Sequence, residues 1–153
     1  MKLLIKVRSV APNGNKTVDE DETKTLVIER EFPHPAERLW RALTQPHLIG
    51  EWLMKTNFEP VVGHKFHMDP RPAFDGLIDC EVKVVEQNKR LSYRWDSMGV
   101  NTVVTWTLTP TKAGVLLRME QSGFRRDQAR NFGGAKHGWQ RFFTNLENVV
   151  GKI

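Results

Sequence analysis

Hydrophobic residues recur with a helical period in the last part of the chain. Within residues 133–153 they are spaced three and four residues apart, which places them on one face of an α-helix. This stripe consists of Trp139, Phe142, Phe143, Leu146, Val149, Val150 and Ile153. Full burial of these side chains would contribute on the order of 10 to 20 kcal/mol before the loss of conformational entropy is subtracted. The pattern therefore predicts a C-terminal helix that lies against a broad apolar partner.

The period changes to two in the middle of the chain, as in strands with one buried face. The apolar positions are Ile78, Cys80, Val82 and Val84, then Leu91, Tyr93 and Trp95, then Val104, Trp106 and Leu108, then Val115, Leu117 and Met119. Glycines separate these runs, as in antiparallel hairpins. We therefore expect an antiparallel sheet that curves around the C-terminal helix.

The first third of the chain predicts one strand followed by two short helices. Residues 25–32 are rich in β-branched and apolar residues and end at Pro33, which favours a strand. Pro35 and Pro46 each stand where a helix can begin, because the first turn of a helix does not need the missing N–H. Residues 1–24 predict an N-terminal arm or an extra edge strand, and residues 25–153 a single domain.

Composition and charge limit the partners. The chain has 153 residues, 39% of them hydrophobic, which suits one core of ordinary size. The net charge of +5 comes from 23 basic residues interspersed with 18 acidic ones, so we predict no nucleic-acid partner. The densest basic stretch, with Arg125, Arg126 and Arg130, falls in a predicted loop.

Targeting signals are also missing from the pattern. No uncharged run approaches the roughly 20 residues of a membrane-spanning helix, so we predict no membrane span. The opening eight residues contain too many charges for a signal peptide. We therefore expect a soluble cytoplasmic protein, whose oligomeric state the sequence leaves open.

The sequence pattern does not bring candidate metal-ligating side chains together. His67 and Asp69 have the His-x-Asp spacing of iron sites, which need a second histidine. His64 would point to the opposite face of the strand, and His137 would lie on the polar side of the C-terminal helix, so we predict no metal site. Cys80 reads as a small buried hydrophobic residue.

No enzyme class receives positive support from a motif. Asp79 and Glu81 could act as paired carboxylates, but they lie on the strand face that we assign to solvent. A Gly-x-Ser-x-Gly elbow, a phosphate loop and a dinucleotide fingerprint are all missing. We therefore assign no catalytic residue and predict no cofactor.

Local motifs resemble one known family. They are residues 32–44 with Pro46-His47-Leu48 and Glu51-Trp52, then residues 90–95, 103–110 and 138–146. Together they resemble the family related to the C-terminal domain of the activator of the heat-shock chaperone ATPase, over about residues 25–150. This family lies within the START and birch-pollen-allergen (SRPBCC) superfamily. The resemblance implies an α+β helix-grip fold, in which a curved antiparallel sheet wraps around a long C-terminal helix.

The resemblance also implies a cavity between the sheet and the long helix, where the superfamily mostly binds lipids, hormones or polyketides. Inward-facing residues that could line it are Trp52, Phe66, Met68, Phe74, Tyr93, Trp95, Trp106, Met119, Phe142 and Phe143. The hydroxyl of Tyr93 and the indole N–H groups of Trp95 and Trp106 would orient a ligand there.

The leading hypothesis is therefore a binding domain without catalytic activity, whose ligand is a small hydrophobic or amphipathic molecule. One alternative is a protein-interaction domain, because the resemblance is to a chaperone regulator. Another is an enzyme similar to the polyketide cyclases of the superfamily, for which Tyr93, His67 and Asp69 would supply the acid and base groups.

Overall fold

The computed structural model describes the backbone of residues 3–10 and the whole of residues 23–73 and 75–153. In this part of the chain, eight strands form one antiparallel sheet and three α-helices accompany it. The strands are β1 (Leu3–Val10), β2 (Thr23–Phe32), β3 (Lys55–Thr56), β4 (Lys65–Asp69), β5 (Ile78–Glu86), β6 (Arg90–Ser97), β7 (Val100–Pro110) and β8 (Val115–Arg125). The helices are α1 (Ala36–Thr44), α2 (Pro46–Trp52) and α3 (Ala129–Val150), and a 3₁₀ turn at Arg126–Gln128 precedes α3.

The strand order across the sheet is β1-β2-β8-β7-β6-β5-β4-β3. Strands β3 to β8 follow one another as a meander, and β2 pairs with β8. The long helix α3 packs against the inner face of this sheet beside α1 and α2. The arrangement is the helix-grip fold, so the predicted fold class is confirmed.

The edge strand β1 pairs with β2 over its whole length, from Leu3 opposite Arg30 to Val10 opposite Thr23. The acidic run at residues 19–22 lies outside the described residues.

The two short helices begin at prolines, as predicted. Pro35 precedes the first residue of α1, and Pro46 is the first residue of α2. The Nε1–H of Trp52 donates a hydrogen bond of 2.8 Å to the carbonyl oxygen of Ala42, which fixes α2 on α1. Both helices thereby direct their apolar faces toward the inner face of the sheet.

The predicted inward positions hold for β6, β7 and β8, but one position in β5 was wrong. Val82 pairs with Tyr93 and is fully buried, whereas the register shifts between Val82 and Val84. Because the side-chain period of a strand is two, a bulge of one residue exchanges the faces that follow it. Val85, not Val84, therefore packs against the core.

Helix α3 also begins earlier than predicted. Its first residue is Ala129, and the helix therefore includes Arg130. Arg125 ends β8 and Arg126 lies in the 3₁₀ turn, so the expectation that these three arginines occupy a loop was wrong. The Nε of Arg125 lies 3.2 Å from an oxygen of Asp127 and forms an exposed ion pair there.

Candidate functional site

An aromatic cluster fills the space between the inner face of the sheet and the helices. Trp106 on β7 is at its centre, with ring centroids 5.7 Å from Trp52, 5.6 Å from Trp139 and 5.8 Å from Phe143. Edge-to-face and tilted pairs at these distances are favourable, because the positive edge of one ring meets the negative face of the next. The cluster thus joins α2, β7 and α3.

The cluster continues toward β4 through Tyr93 on β6. The Tyr93 ring lies 5.4 Å from Phe66, 6.1 Å from Phe58 and 6.4 Å from Trp95, measured between ring centroids. Phe58 was missed in the sequence because it lies in the connection between β3 and β4, where no period marks it. Its side chain is nevertheless almost fully buried.

The ten predicted lining residues divide into three groups. Buried side chains are Trp52, Phe66, Met68, Tyr93, Trp106, Met119 and Phe143. Trp95 and Phe142 are partly buried and pack against this core. Phe74 lies outside the described residues.

The centre of the cluster is filled. Met68, Trp106, Met119 and Phe143 each have an exposed fraction of 0%. A side chain with no accessible surface touches no space as large as a water molecule, so these four side chains face other protein atoms on every side. They form a close-packed core in this structure.

The core is less closely covered at one end, near the start of α3. The side chains there that are only partly buried and still pack against the core are Trp95, Val100, Phe132, Ala135 and Phe142, and we call this region the half-open end. Trp139 connects it to the centre, with its ring 5.4 Å from Trp95 and 5.5 Å from Phe142.

The first half of α3 is rich in glycine, and two of these glycines face open space. Between Phe132 and Trp139 the helix contains Gly133, Gly134 and Gly138. A Cβ atom added at Gly133 or Gly134 would meet nothing within 4 Å. This part of α3 is held at its first turn, where the Phe132 ring packs edge-to-face on Phe124 at 5.2 Å.

Two of the predicted polar groups are bonded to each other. The Nε1–H of Trp106 donates a hydrogen bond of 2.9 Å to the hydroxyl oxygen of Tyr93, and both side chains are buried. The N–H of Trp106 is therefore not free to orient a ligand. Burial raises the pKa of Tyr93 well above its usual value of about 10, so the hydroxyl keeps its proton.

A buried polar chain that sequence reasoning missed crosses the inner face of the sheet. The Nε1–H of Trp139 donates to Oε1 of Gln121 at 2.7 Å, and Nε2 of Gln121 donates to the hydroxyl of Thr102 at 3.0 Å. That hydroxyl donates to the carbonyl oxygen of Trp95 at 2.7 Å. Gln121 continues the inward period of β8 beyond Met119, so the alternation itself could have found it.

Arg30 is a second inward polar residue that was missed. Its Nη1 donates to the carbonyl oxygen of Phe143 at 3.3 Å and lies 3.5 Å from an oxygen of Glu147. The side chain is only 10% exposed, and its charge is therefore committed to α3. Leu26, Ile28 and Arg30 are alternate residues of β2, so the period of two would have predicted an inward Arg30 side chain.

The other acid–base candidates lie away from this cluster. His67 alternates with the inward Phe66 and Met68 and lies on the outer face, where its Nε2 is 3.3 Å from Asp79. Asp69 is held by two hydrogen bonds of 2.8 Å from the Arg71 guanidinium, which lower the pKa of its carboxyl to about 2. The fold thus separates both residues from Tyr93.

The remaining candidates have structural partners or are inert. Glu81 lies 3.4 Å from the amine of Lys83, and Cys80 is buried. Burial, with the nearby Asp96 and Asp79 carboxylates, raises the pKa of the Cys80 thiol. Such a thiol is a poor nucleophile. Among the described residues, no three His, Cys, Asp or Glu side chains are grouped so that they could hold a metal ion.

Residues 33–151 match the family described as Activator of Hsp90 ATPase homolog 1-like protein. The chain belongs to this family. The predicted resemblance is therefore confirmed, and the match covers both short helices, strands β3 to β8 and α3. No curated protein sequence matches the chain.

Solved structures of several proteins resemble this family member. Protein MLL2253 from Mesorhizobium loti is 54% identical, with a TM-score of 0.80, and the alignment covers 84% of this chain and 97% of that one. DynU16, from the dynemicin biosynthetic locus, is 26% identical with a TM-score of 0.73, over 88% of this chain and 48% of that one. CalU16 from Micromonospora echinospora has the same fold at 17% identity, with a TM-score of 0.78, over 98% and 87%.

Within the described residues of this family member, no helix is long and apolar enough to cross a membrane.

Proposed function

We propose that this protein binds a small hydrophobic or amphipathic molecule at its half-open end, between β6 and the first half of α3. The observation that carries the proposal is the partial exposure of Trp95 and Phe142 beside the buried Trp139. Large aromatic side chains at the edge of a core offer apolar contact area to a ligand.

The centre of the aromatic cluster is a less suitable place for a ligand. Trp106 and Phe143 have no accessible surface, so a ligand could reach them only after the rings separate. At the half-open end a ligand can contact Trp95 and Phe142 without separating the packed rings, because both side chains are only partly buried. The adjoining part of α3 contains Gly133 and Gly134. Glycine also lowers the local stability of a helix.

The biosynthetic locus of one relative, DynU16, favours a small organic molecule as the ligand. DynU16 belongs to a biosynthetic locus and shares 26% of its aligned residues with this chain. The binding proposal does not require catalysis, and the separation of His67 and Asp69 from Tyr93 favours binding over acid–base chemistry.

The test is titration with the neutral fluorescent probe N-phenyl-1-naphthylamine. We expect the wild-type protein to bind it, and Ala135→Phe, which fills the uncovered area, to weaken binding by roughly tenfold or more, about 1.4 kcal/mol. Trp95→Leu should weaken binding as well, since it removes the aromatic contact surface. Thermal melts of each variant separate loss of binding from loss of folding.

Val61→Ala is the control, because Val61 is 56% exposed in the connection between β3 and β4, outside the half-open end. Its probe affinity should equal that of the wild-type protein. The proposal fails if the wild-type protein does not bind the probe, or if Ala135→Phe and Trp95→Leu bind it as tightly as Val61→Ala does.

A second candidate function is binding to a chaperone of the Hsp90 class, which the family description favours. Val61 and Val62 are adjacent and exposed by 56% and 62%, and they would supply apolar contacts to such a partner. Calorimetric titration of a purified Hsp90 chaperone tests this role. Binding that is lost in Val61→Ser/Val62→Ser would support it, and no heat of binding with the wild-type protein would exclude it.

A further inference from the structure

Two exposed apolar side chains flank the half-open end. Met98 is 85% exposed and Leu77 is 42% exposed. Strands β5 and β6 pair with Asp79 opposite Asp96, so Leu77 and Met98 follow at the same end of the two strands, each two residues beyond that pair. Trp95, on β6, belongs to the half-open end itself. Apolar surface therefore extends from the edge of the core to the turn between β6 and β7.

The backbone at Met98 is unusual for a residue with a side chain. Its φ is 52°, in the left-handed region that residues with a Cβ atom rarely adopt. The turn thus holds a large apolar side chain in water at a conformational cost. Strained positions and grouped exposed apolar residues are both typical of surfaces that contact a partner.

Unpaired basic side chains lie beside this turn. The side chain of Gln128 joins the two segments, because its Nε2 donates to the carbonyl oxygen of Gly99 at 3.2 Å and its Oε1 accepts from the backbone N–H of Arg125 at 2.8 Å. Arg126 and Arg130 precede and follow Gln128 by two residues, and both are exposed. Within the described residues, neither forms an ion pair with a carboxylate.

Basic charge continues along the helix that borders the half-open end. From residue 129 to residue 146, α3 contains three basic residues and no aspartate or glutamate. Two aromatic rings of the half-open end have a cation above them. The amine of Lys24 lies 5.8 Å from the centroid of the Phe132 ring, and the guanidinium of Arg141 lies 5.5 Å from that of Phe142.

We propose that the half-open end docks on a lipid bilayer that contains anionic phospholipids, with Met98 and Leu77 entering the bilayer and Arg126 and Arg130 at the phosphates. Apolar side chains gain free energy when they leave water, and guanidinium groups form strong hydrogen bonds with phosphate oxygens. A nucleic acid would satisfy the arginines but leave the two apolar side chains in water. The inference goes beyond the proposed ligand binding and does not depend on it.

Cosedimentation with sucrose-loaded vesicles tests the docking. The vesicles consist of phosphatidylcholine alone or mixed with phosphatidylglycerol, and we expect the wild-type protein to prefer the mixed vesicles by about tenfold or more. The full chain is used, so the four carboxylates of residues 19–22 are present in every measurement.

The arginines are tested with a charge-matched control. Arg126→Gln/Arg130→Gln should weaken partition onto mixed vesicles by roughly twentyfold, since each basic side chain near an anionic surface contributes about a factor of five. Lys89→Gln/Lys112→Gln removes the same charge from exposed lysines in the turns at the opposite end of the sheet. This control should change partition by less than about twofold.

The apolar side chains are tested in the same way. Met98→Ser/Leu77→Ser should weaken partition by roughly tenfold through lost transfer of apolar surface. Val61→Ser/Val62→Ser is the control, because both valines are exposed in the connection between β3 and β4. Thermal melts establish that each variant is folded, and Met98→Ser alone serves if the double variant unfolds, since Met98 is the more exposed.

Four results would overturn the docking surface. They are no partition of the wild-type protein onto mixed vesicles, equal losses in the arginine and lysine pairs, no loss in the folded apolar variant, and tighter binding to a DNA duplex that displaces the vesicles. Titration with N-phenyl-1-naphthylamine in the absence of vesicles tests ligand binding separately. If the wild-type protein partitions as expected but does not bind this probe, the docking surface stands and the proposed ligand binding fails.

Discussion

The indole Nε1–H of Trp139 donates a hydrogen bond of 2.7 Å to Oε1 of Gln121, and this bond joins the middle of α3 to β8. Both side chains are buried. The bond lies between the packed centre of the aromatic cluster and the half-open end, where α3 has little cover. It therefore fixes the middle of α3 on β8.

Replacement of Gln121 by methionine should destabilise the fold while its volume is retained. The change leaves the Trp139 N–H buried without an acceptor, which costs about 1 to 3 kcal/mol. Urea denaturation measures the free energy of unfolding. A loss below about 0.5 kcal/mol, the size of an ordinary surface substitution, would contradict the importance of the bond.

Trp139→Phe provides the control for this bond. It removes the donor, and in the double variant Gln121→Met/Trp139→Phe no donor is left unpaired at position 139. We expect the two losses to be non-additive by about 1 kcal/mol, as for residues in direct contact. Strict additivity would mean that the two side chains act independently.

Phe143 should behave as an ordinary core residue. Its side chain has an exposed fraction of 0%, so Phe143→Ala should cost roughly 3 to 5 kcal/mol through lost transfer energy and an unfilled void. Val61→Ala, at a position that is 56% exposed, should change stability by less than about 0.5 kcal/mol. A small loss for Phe143→Ala, measured by the same denaturant melts, would mean that Phe143 faces open space.

Tyr93 should make the fold sensitive to alkaline pH. Its pKa is raised in the folded state, so the unfolded chain loses this proton first, from about pH 10. The stability contribution is therefore complete below pH 10 and falls above it by up to about 1.4 kcal/mol per pH unit. Between pH 9.5 and 11, a range that contains the ordinary tyrosine pKa of about 10, the stability of Tyr93→Phe should fall less than that of the wild-type protein.

The chain has a single tyrosine, so its titration can be followed directly. Absorbance of tyrosinate near 295 nm should rise only at pH values well above 10, or together with unfolding. A rise centred near the ordinary value of about 10 in the folded protein would contradict the burial of the hydroxyl.

Replacement of glycine by alanine should stabilise the fold at Gly133 and Gly134 and destabilise it at Gly114. Gly133→Ala and Gly134→Ala should each stabilise α3 by about 0.5 to 1 kcal/mol, because alanine has the higher helix propensity and nothing lies within 4 Å. Both should also slow association of N-phenyl-1-naphthylamine if the first half of α3 moves during binding. Stopped-flow fluorescence measures that rate.

Gly114→Ala is the opposite case. A Cβ there would collide with the carbonyl oxygen of Phe32 and lie 2.7 Å from the backbone nitrogen of His34. Backbone atoms of β2 cannot yield cheaply, so we expect a loss above about 2 kcal/mol. Thermal melts compare the variants, and a neutral Gly114→Ala would mean that the turn between β7 and β8 is not held against β2.

The hydrophobic pattern alone determined the order of elements and most inward positions. Trp95, Trp106 and Met119 face the core because one face of each strand is apolar and the side-chain period is two. The seven-residue stripe of the last helix required a broad apolar partner, and the family resemblance implied the helix-grip fold class. The sequence was sufficient for these positions because each hydrophobic period lies within one helix or one strand.

Several features of the candidate site depended on tertiary contacts instead. The bulge that turns Val85 inward arises from the pairing of β5 with β6, and a sequence period does not register such a shift. Arg30 and Gln121 follow inward periods, but only their partners on α3 make a buried polar side chain tolerable. The helix or strand propensity of a residue does not indicate whether such a partner is present.

Whether the aromatic residues line a cavity or fill a core was also decided only in three dimensions. Inward direction is common to both cases, since it depends on strand and helix period. Whether the space between the sheet and the helices is filled depends on the distance between these elements and on which rings are in contact. Trp106 and Phe143, with ring centroids 5.8 Å apart, are one such pair. The sequence therefore determined which side chains face the interior. Tertiary packing determined that Trp106 is enclosed while Trp95 remains at an open edge, because packing density depends on neighbouring elements and not on one segment.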